Sequence, residues 1–175
     1  MVRIDIDLGE IRRSISNMPR AYIWGPIILN RVMTTFGREG AEAMKEVLRP
    51  HRYTGILEDS VVGKWNPASK ELSIGPTAKR RSHDAGDIFE LGTKKIPNVP
   101  WQPIRKWGLT RGLTLKQIAG IWKKIQESGV ASHPFVERTA QGTRFQTALL
   151  KASDAIARDM AAEVFKGDNG TGTTI

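Results

Sequence analysis

The chain has 175 residues, with 27 Lys and Arg against 18 Asp and Glu for a net charge of +9, and no cysteine. At 39% hydrophobic residues it suits one domain with a real core rather than a disordered polymer. The missing cysteines exclude a disulfide scaffold, a thiolate zinc site, an iron–sulfur cluster and a cysteine nucleophile, and no apolar run approaches the roughly 20 residues that span a bilayer.

Taken in chain order, Val2 to Asp7 alternates apolar and charged residues, the pattern of a short strand. Its carboxylates stand where a signal peptide needs an apolar stretch, so the expectation is a soluble protein made in a reducing compartment. Leu8, Ile11 and Ile15 recur at helical spacing ahead of Pro19. The spacing predicts a long helix from Ile27 to Leu48, with Pro26 in its first turn and Pro50 ending it. Ile28, Val32, Ala43, Val47 and Leu48 fall on its inner face, with Arg31, Arg38, Glu42 and Lys45 outward. Gly37 and Gly40 predict a kink or break near its middle. Ser60 to Trp65 and Lys70 to Ile74 read as a β-hairpin around the turn formers Asn66-Pro67-Ala68-Ser69, closed by Gly75-Pro76. Asp84 to Leu91 is a short helix stopped by Gly92.

Lys94 to Gly112 holds three prolines and two glycines and reads as an irregular arm. Thr114 is an N-cap for a helix through Ser128, with Leu115, Ile118, Trp122 and Ile125 on one face and Gly129 as its stop. His133-Pro134-Phe135 is an extended segment that tucks an aromatic ring against the core. The last helix runs from about Thr139 to Lys166, with a stripe of Phe145, Leu149, Ala152, Ile156, Met160 and Val164. Gly167 to Ile175 is a polar tail, expected to be disordered in the isolated chain. The architecture that follows is α+β, a small and mostly antiparallel sheet against long N-terminal and C-terminal helices. It forms one domain over residues 1–166, with a basic arm and inserted helix over 79–124.

Charge is concentrated rather than spread. Between Lys79 and Lys124 stand 11 Lys or Arg and three Asp or Glu, while the other 129 residues hold 16 and 15. Such a stretch suits a polyanion, because each phosphate neutralised releases counterions. It equally suits a solvated surface or an acidic protein neighbour.

The catalytic templates fail. No Gly-rich loop ends in Gly-Lys-Ser/Thr, and His51, His83 and His133 are far apart and lack a partner at metal-binding spacing. Asp84, Asp87 and Glu90 beside His83 could form a magnesium or nuclease centre. Carboxylates so placed ordinarily cap a short helix or pair with Arg80 and Arg81. No catalytic, cofactor or metal site is therefore assigned. Trp101, Trp107 and Trp122 interleave with Lys95, Arg105, Lys106, Arg111, Lys123 and Lys124, a mixture that can stack on single-stranded nucleic acid or anchor a protein interface. Trp122 fits the core of its own helix, whereas Trp101 and Trp107 look like contacts with a neighbour.

Three separated pieces carry a resemblance. Tyr53-Thr54-Gly55-Ile56-Leu57-Glu58-Asp59-Ser60 is similar to a Thr-Gly-x-Leu-x-x-Ser motif, and Ile88-Phe89-Glu90-Leu91-Gly92-Thr93 to an aromatic-x-Glu-x-Gly-Thr motif. His133-Pro134-Phe135-Val136 resembles Arg-Pro-Phe-Leu ahead of a long helix. In this order they resemble the tail-component family of long-tailed bacteriophages, the tail completion proteins of the head–tail junction. The segment from Trp107 to Gly129 looks like an insertion common in phage virion proteins. The resemblance covers about residues 41–165, with His133 in place of the usual arginine.

The resemblance implies a non-enzymatic virion protein, assembled in the host cytoplasm into a ring of six copies. It would bind head connector and neck proteins on one face and the tail terminator or tail tube on the other. Thr54, Gly55, Leu57, Gly92, Thr93, Pro134 and Phe135 would be its structural motif residues. Thr54 caps a turn, Leu57 packs inward, and Pro134 sets the approach of Phe135. Glu90 sits at a helix C-terminus, unfavourable unless a cation meets it, so the next subunit is its expected partner. Trp101, Arg105, Lys106, Trp107 and Arg111 are candidates for the same interface. Lys79, Arg80, Arg81, Lys94 and Lys95 are candidates to face genomic DNA in the lumen, without sequence preference. A tail terminator capping the tube and a basic nucleic-acid-binding protein or nuclease are the alternatives.

Overall fold

The computed structural model describes residues 3–6, 21–51, 55–80 and 83–168, with backbone alone at 21–23, 79–80, 83–85 and 166–168. The expected helix around Leu8 to Ile15, Thr54, Arg81 and the segment 169–175 lie outside the described residues.

Strand β1 (Ile4–Ile6) is followed by the 28-residue helix α1 (Ala21–Leu48). Its start precedes Pro26 by five residues, rather than following it as expected. Trp24 packs against the core and holds the extra turn, so the hydrogen bond a proline cannot donate is lost at an exposed position. A 3₁₀ turn (Arg49–His51) and the single-turn α2 (Ile56–Asp59) lead into β2 (Val61–Asn66) and β3 (Glu71–Pro76). Gly55 enters α2 with φ 80°, a left-handed conformation that costs glycine little.

The three-stranded sheet has the order β1-β3-β2, antiparallel throughout. Register places Ile4 and Gly63 opposite Ile74, and Ile6 and Trp65 opposite Leu72. Alternation then aims Val61, Leu72 and Ile74, all at most 2% exposed, at one face. The other face carries the polar row of Asp5, Ser73 and Lys64, with the Ser73 hydroxyl 3.2 Å from Asp5 Oδ1.

Helix α1 lies on the apolar face, and the expected break at its glycines does not occur. A Cβ on Gly63 would come 1.9 Å from the Gly37 carbonyl oxygen, and one on Gly40 would meet Ile74 and Phe145. These glycines let helix and strand touch backbone to backbone, and burial of Phe36, Met33 and Met44 around the crossing offsets their low helix propensity.

Two short strands, β4 (Lys79–Arg80) and β5 (His83–Asp84), pair with each other. Helix α3 (Ala85–Leu91) follows, and Gly92 ends it with φ 72°. Next come α4 (Trp101–Thr110), α5 (Leu115–Ser128), α6 (Phe135–Gln141) and α7 (Thr143–Asp168). The single C-terminal helix expected from Thr139 is thus two, divided by Gly142 in an extended conformation. Phe135, 1% exposed, opens α6, and the buried Thr139 hydroxyl turns back to the Phe135 carbonyl at 2.6 Å.

On α7 the inward stripe is Phe145, Ala148, Ala152, Ile156 and Met160, while Leu149 and Val164 are exposed. Arg31–Asp159 and Glu46–Arg144 ion pairs bracket the antiparallel α1–α7 contact, and Phe36 and Phe145 meet at 5.5 Å between ring centroids. The protein is therefore α+β, a small antiparallel sheet against two long helices near the chain's ends. Among the described residues no helix is long and apolar enough to cross a membrane.

Candidate functional site

Two features distinguish the part of the chain between the sheet and α7. The first is a packed junction. Phe89 of α3 stacks on His133 at 5.0 Å and tilts against Phe135 at 5.9 Å, while His51 closes on His133 at 4.8 Å and on Phe89 at 5.4 Å. The His133 amide donates to the Phe89 carbonyl at 2.9 Å. Burial above all, with His133, Arg138 and Arg111 adding to it, holds the His51 imidazole below its ordinary value of 6.5.

Glu90 belongs to this junction. Its Oε2 accepts the Val136 amide at 3.1 Å, so a carboxylate at the end of α3 caps the first turn of α6. Glu90 thus has a partner within the chain, the donor that α6 leaves unpaired at its first turn. Asp84 lies on β5 rather than on the helix. Among the described residues no group of three His, Asp or Glu is placed to hold a metal ion.

Gly92, Thr93 and Pro134 join the same unit. A Cβ on Gly92 would lie 2.5 Å from the Val130 carbonyl, and Thr93 bonds Val130 twice, its amide donating to the Val130 carbonyl and its hydroxyl accepting from the Val130 amide, each at 2.9 Å. Pro134 stands at the N-cap of α6, and Leu57 packs against the main core.

The second feature is a helical hairpin where an irregular arm was expected. Residues Trp101–Thr110 are helical because Pro103 falls in the first turn, where its missing N–H has no intrahelical partner to lose. Gly108 permits contact with α5, since a Cβ there would sit 2.4 Å from Ile118 Cγ1. Ile118, 0% exposed, is the centre of this packing and lies outside the main core cluster. Thr114 caps α5 through a complete capping box with Gln117, whose Oε1 accepts the Thr114 amide at 2.9 Å. Gly129 stops the helix at φ 82°, pressed against the Thr93 carbonyl. Leu115, expected on the inner face, is 55% exposed.

The tryptophans turn inward. Trp101 and Trp122 meet edge to face at 5.7 Å, and Trp122 Nε1 donates to the Val99 carbonyl at 2.9 Å. Trp107 is half-buried, with the Arg111 guanidinium 5.1 Å from its ring. Trp101 therefore packs within the hairpin while staying half-exposed.

What the hairpin does present is charge. Residues 91–126 hold eight Lys or Arg and no Asp or Glu, and Lys94, Lys95, Arg105, Lys106, Arg111, Lys116, Lys123 and Lys124 are all exposed. Lys116 and Lys123 stand two turns apart on α5, about 10 Å, opposite Ile118, Trp122 and Ile125. Lys79 and Arg80 lie on β4.

No protein-family model matches the chain, and no curated protein or solved structure matches it.

Proposed function

We propose that this protein is a structural component of a phage virion, a ring of six copies that joins the tail to the head connector. The observation that carries this reading is the meeting of separated motif pieces in one packed unit. Phe89 and Glu90 of the second touch His133, Phe135 and Val136 of the third, and His51 just ahead of the first closes the ring cluster. Segments 45 residues apart that resemble one family in order, and also pack together, behave as one inherited framework rather than as chance tripeptides.

In this reading the work is assembly. The ring would bind head-side neck proteins on one face and the tail terminator or tube on the other. With Glu90 and Trp101 satisfied within the chain, subunit contacts fall to large apolar side chains left exposed, foremost Leu91 at 73% and Phe165 at 68%. Joining in vitro tests the proposal. Heads and tails are prepared from a phage lacking this gene, mixed, and supplied with the purified chain. Restored infectious particles support it; heads and tails that join equally well without the chain refute it. Tails of uncontrolled length in the starting material would instead favour a tail terminator.

A further inference from the structure

We infer that the α4–α5 hairpin is a binding site for the phosphate backbone of duplex DNA, read without regard to sequence. Its charge is nearly one-signed: from Trp101 to Ser128 it carries six exposed cations against one carboxylate, Glu127, and the exposed Lys94 and Lys95 just ahead of it bring the cations to eight. Glu127 lies 3.8 Å from Lys123 in an exposed pair, too weak to neutralise the surface.

Three observations select the ligand. Six of the eight cations are lysines, the residue depleted at protein interfaces and able to bind phosphate as a point charge. Of the three rings that could stack on unpaired bases, Trp101 and Trp122 pack edge to face, Trp122 is also bonded to the Val99 carbonyl, and the Arg111 guanidinium lies over Trp107. That removes the contact on which sequence-tolerant single-strand binding depends. Finally, the outer face of α5 is smooth: a Cβ on Gly120, between Lys116 and Lys123, would meet nothing within 4 Å. A backbone can therefore approach closely between the two lysines.

The inference is independent of the joining role, because it rests on the hairpin's charge and packing and not on the motif pieces. Binding of the full-length chain to a fluorescent 20-base-pair duplex, followed by anisotropy against salt, tests it. Engagement of about four phosphates gives a slope of roughly −3.6 in log K against log salt, so raising salt from about 50 to about 200 mM weakens binding roughly 150-fold. Lys106→Gln, Lys116→Gln, Lys123→Gln and Lys124→Gln combined should remove most of that slope. Arg38→Gln with Lys64→Gln, exposed on the body, should leave it unchanged. Unaltered melting of both variants shows that the fold is intact.

Three results would overturn the inference: no salt-dependent duplex binding at about 50 mM salt, tighter binding to a single strand of equal length, or equal binding to poly-glutamate of matched charge. The last would assign the surface to an acidic protein. Absence of DNA binding would leave the joining reaction untouched, and failure of the joining reaction would leave DNA binding untouched.

Discussion

Replacing Gly63 with alanine tests the packing of α1 on the sheet at its tightest point. The added Cβ would lie 1.9 Å from the Gly37 carbonyl oxygen and 2.7 Å from its Cα, where real Cβ contacts stay beyond 3.0 Å. Helix and strand must therefore separate by about 1.1 Å, and neither neighbour is a side chain that can swing aside. A gap of that size forfeits a quarter to a half of the dispersion attraction of each pair it opens. The pairs at risk involve Met33, Phe36, Met44, Leu72 and Ile74, all at most 3% exposed. Overpacking costs about 1–3 kcal/mol, and a backbone-on-backbone clash belongs at the upper end, about 3 kcal/mol. In a chain of this size that lowers the melting temperature by roughly 6–12 °C, measurable by circular dichroism. Gly120→Ala is the matched control: with nothing within 4 Å it gains helix propensity and should stabilise by about 1 kcal/mol. A Gly63→Ala protein melting within about 2 °C of the parent would refute the close-approach argument.

Other expectations concern the junction and the hairpin. Glu90→Gln removes a charge-assisted acceptor from the Val136 amide, and should lower the isolated chain's stability by about 1 kcal/mol; an effect confined to assembly would show that the carboxylate serves a neighbour instead. Thr114→Ala breaks the capping box and should speed amide exchange through the first turns of α5 while leaving α1 protected; unchanged exchange in α5 would contradict the cap's role. The folded state favours neutral His51, so its contribution is present above pH 6.5 and lost as pH falls through the lowered folded value. Thermal melts from pH 7 to pH 5 should fall less steeply for His51→Gln than for the parent, and parallel curves would remove the burial argument.

Local signals made much of the fold legible. The turn run Asn66 to Ser69, Gly92 after α3, and Thr114 with Gly129 around α5 each specify a boundary through chemistry within a few residues. Helix α4 was hidden because Pro103 and Gly108 read as breakers. Position decides otherwise, since one falls in a first turn and the other beneath Ile118. The spacing of Trp101, Ile104 and Trp107 was the signal that could have shown it. Gly37 and Gly40 look like weakness in α1 when only the local sequence is considered, because their partners, Gly63, Ile74 and Phe145, are distant along the chain. The same holds for the site. The run of cations could be read directly, but the direction of Trp101 and the partner of Glu90 depend on residues 21 and 46 positions away. Periodicity carries no record of such contacts.

The most direct test of the central claim is electron microscopy of particles made by a phage from which this gene has been removed. The joining role predicts DNA-filled heads beside finished, unattached tails of normal length, with joined particles restored when the gene is supplied in trans. Normal, joined and infectious particles in its absence would contradict that role.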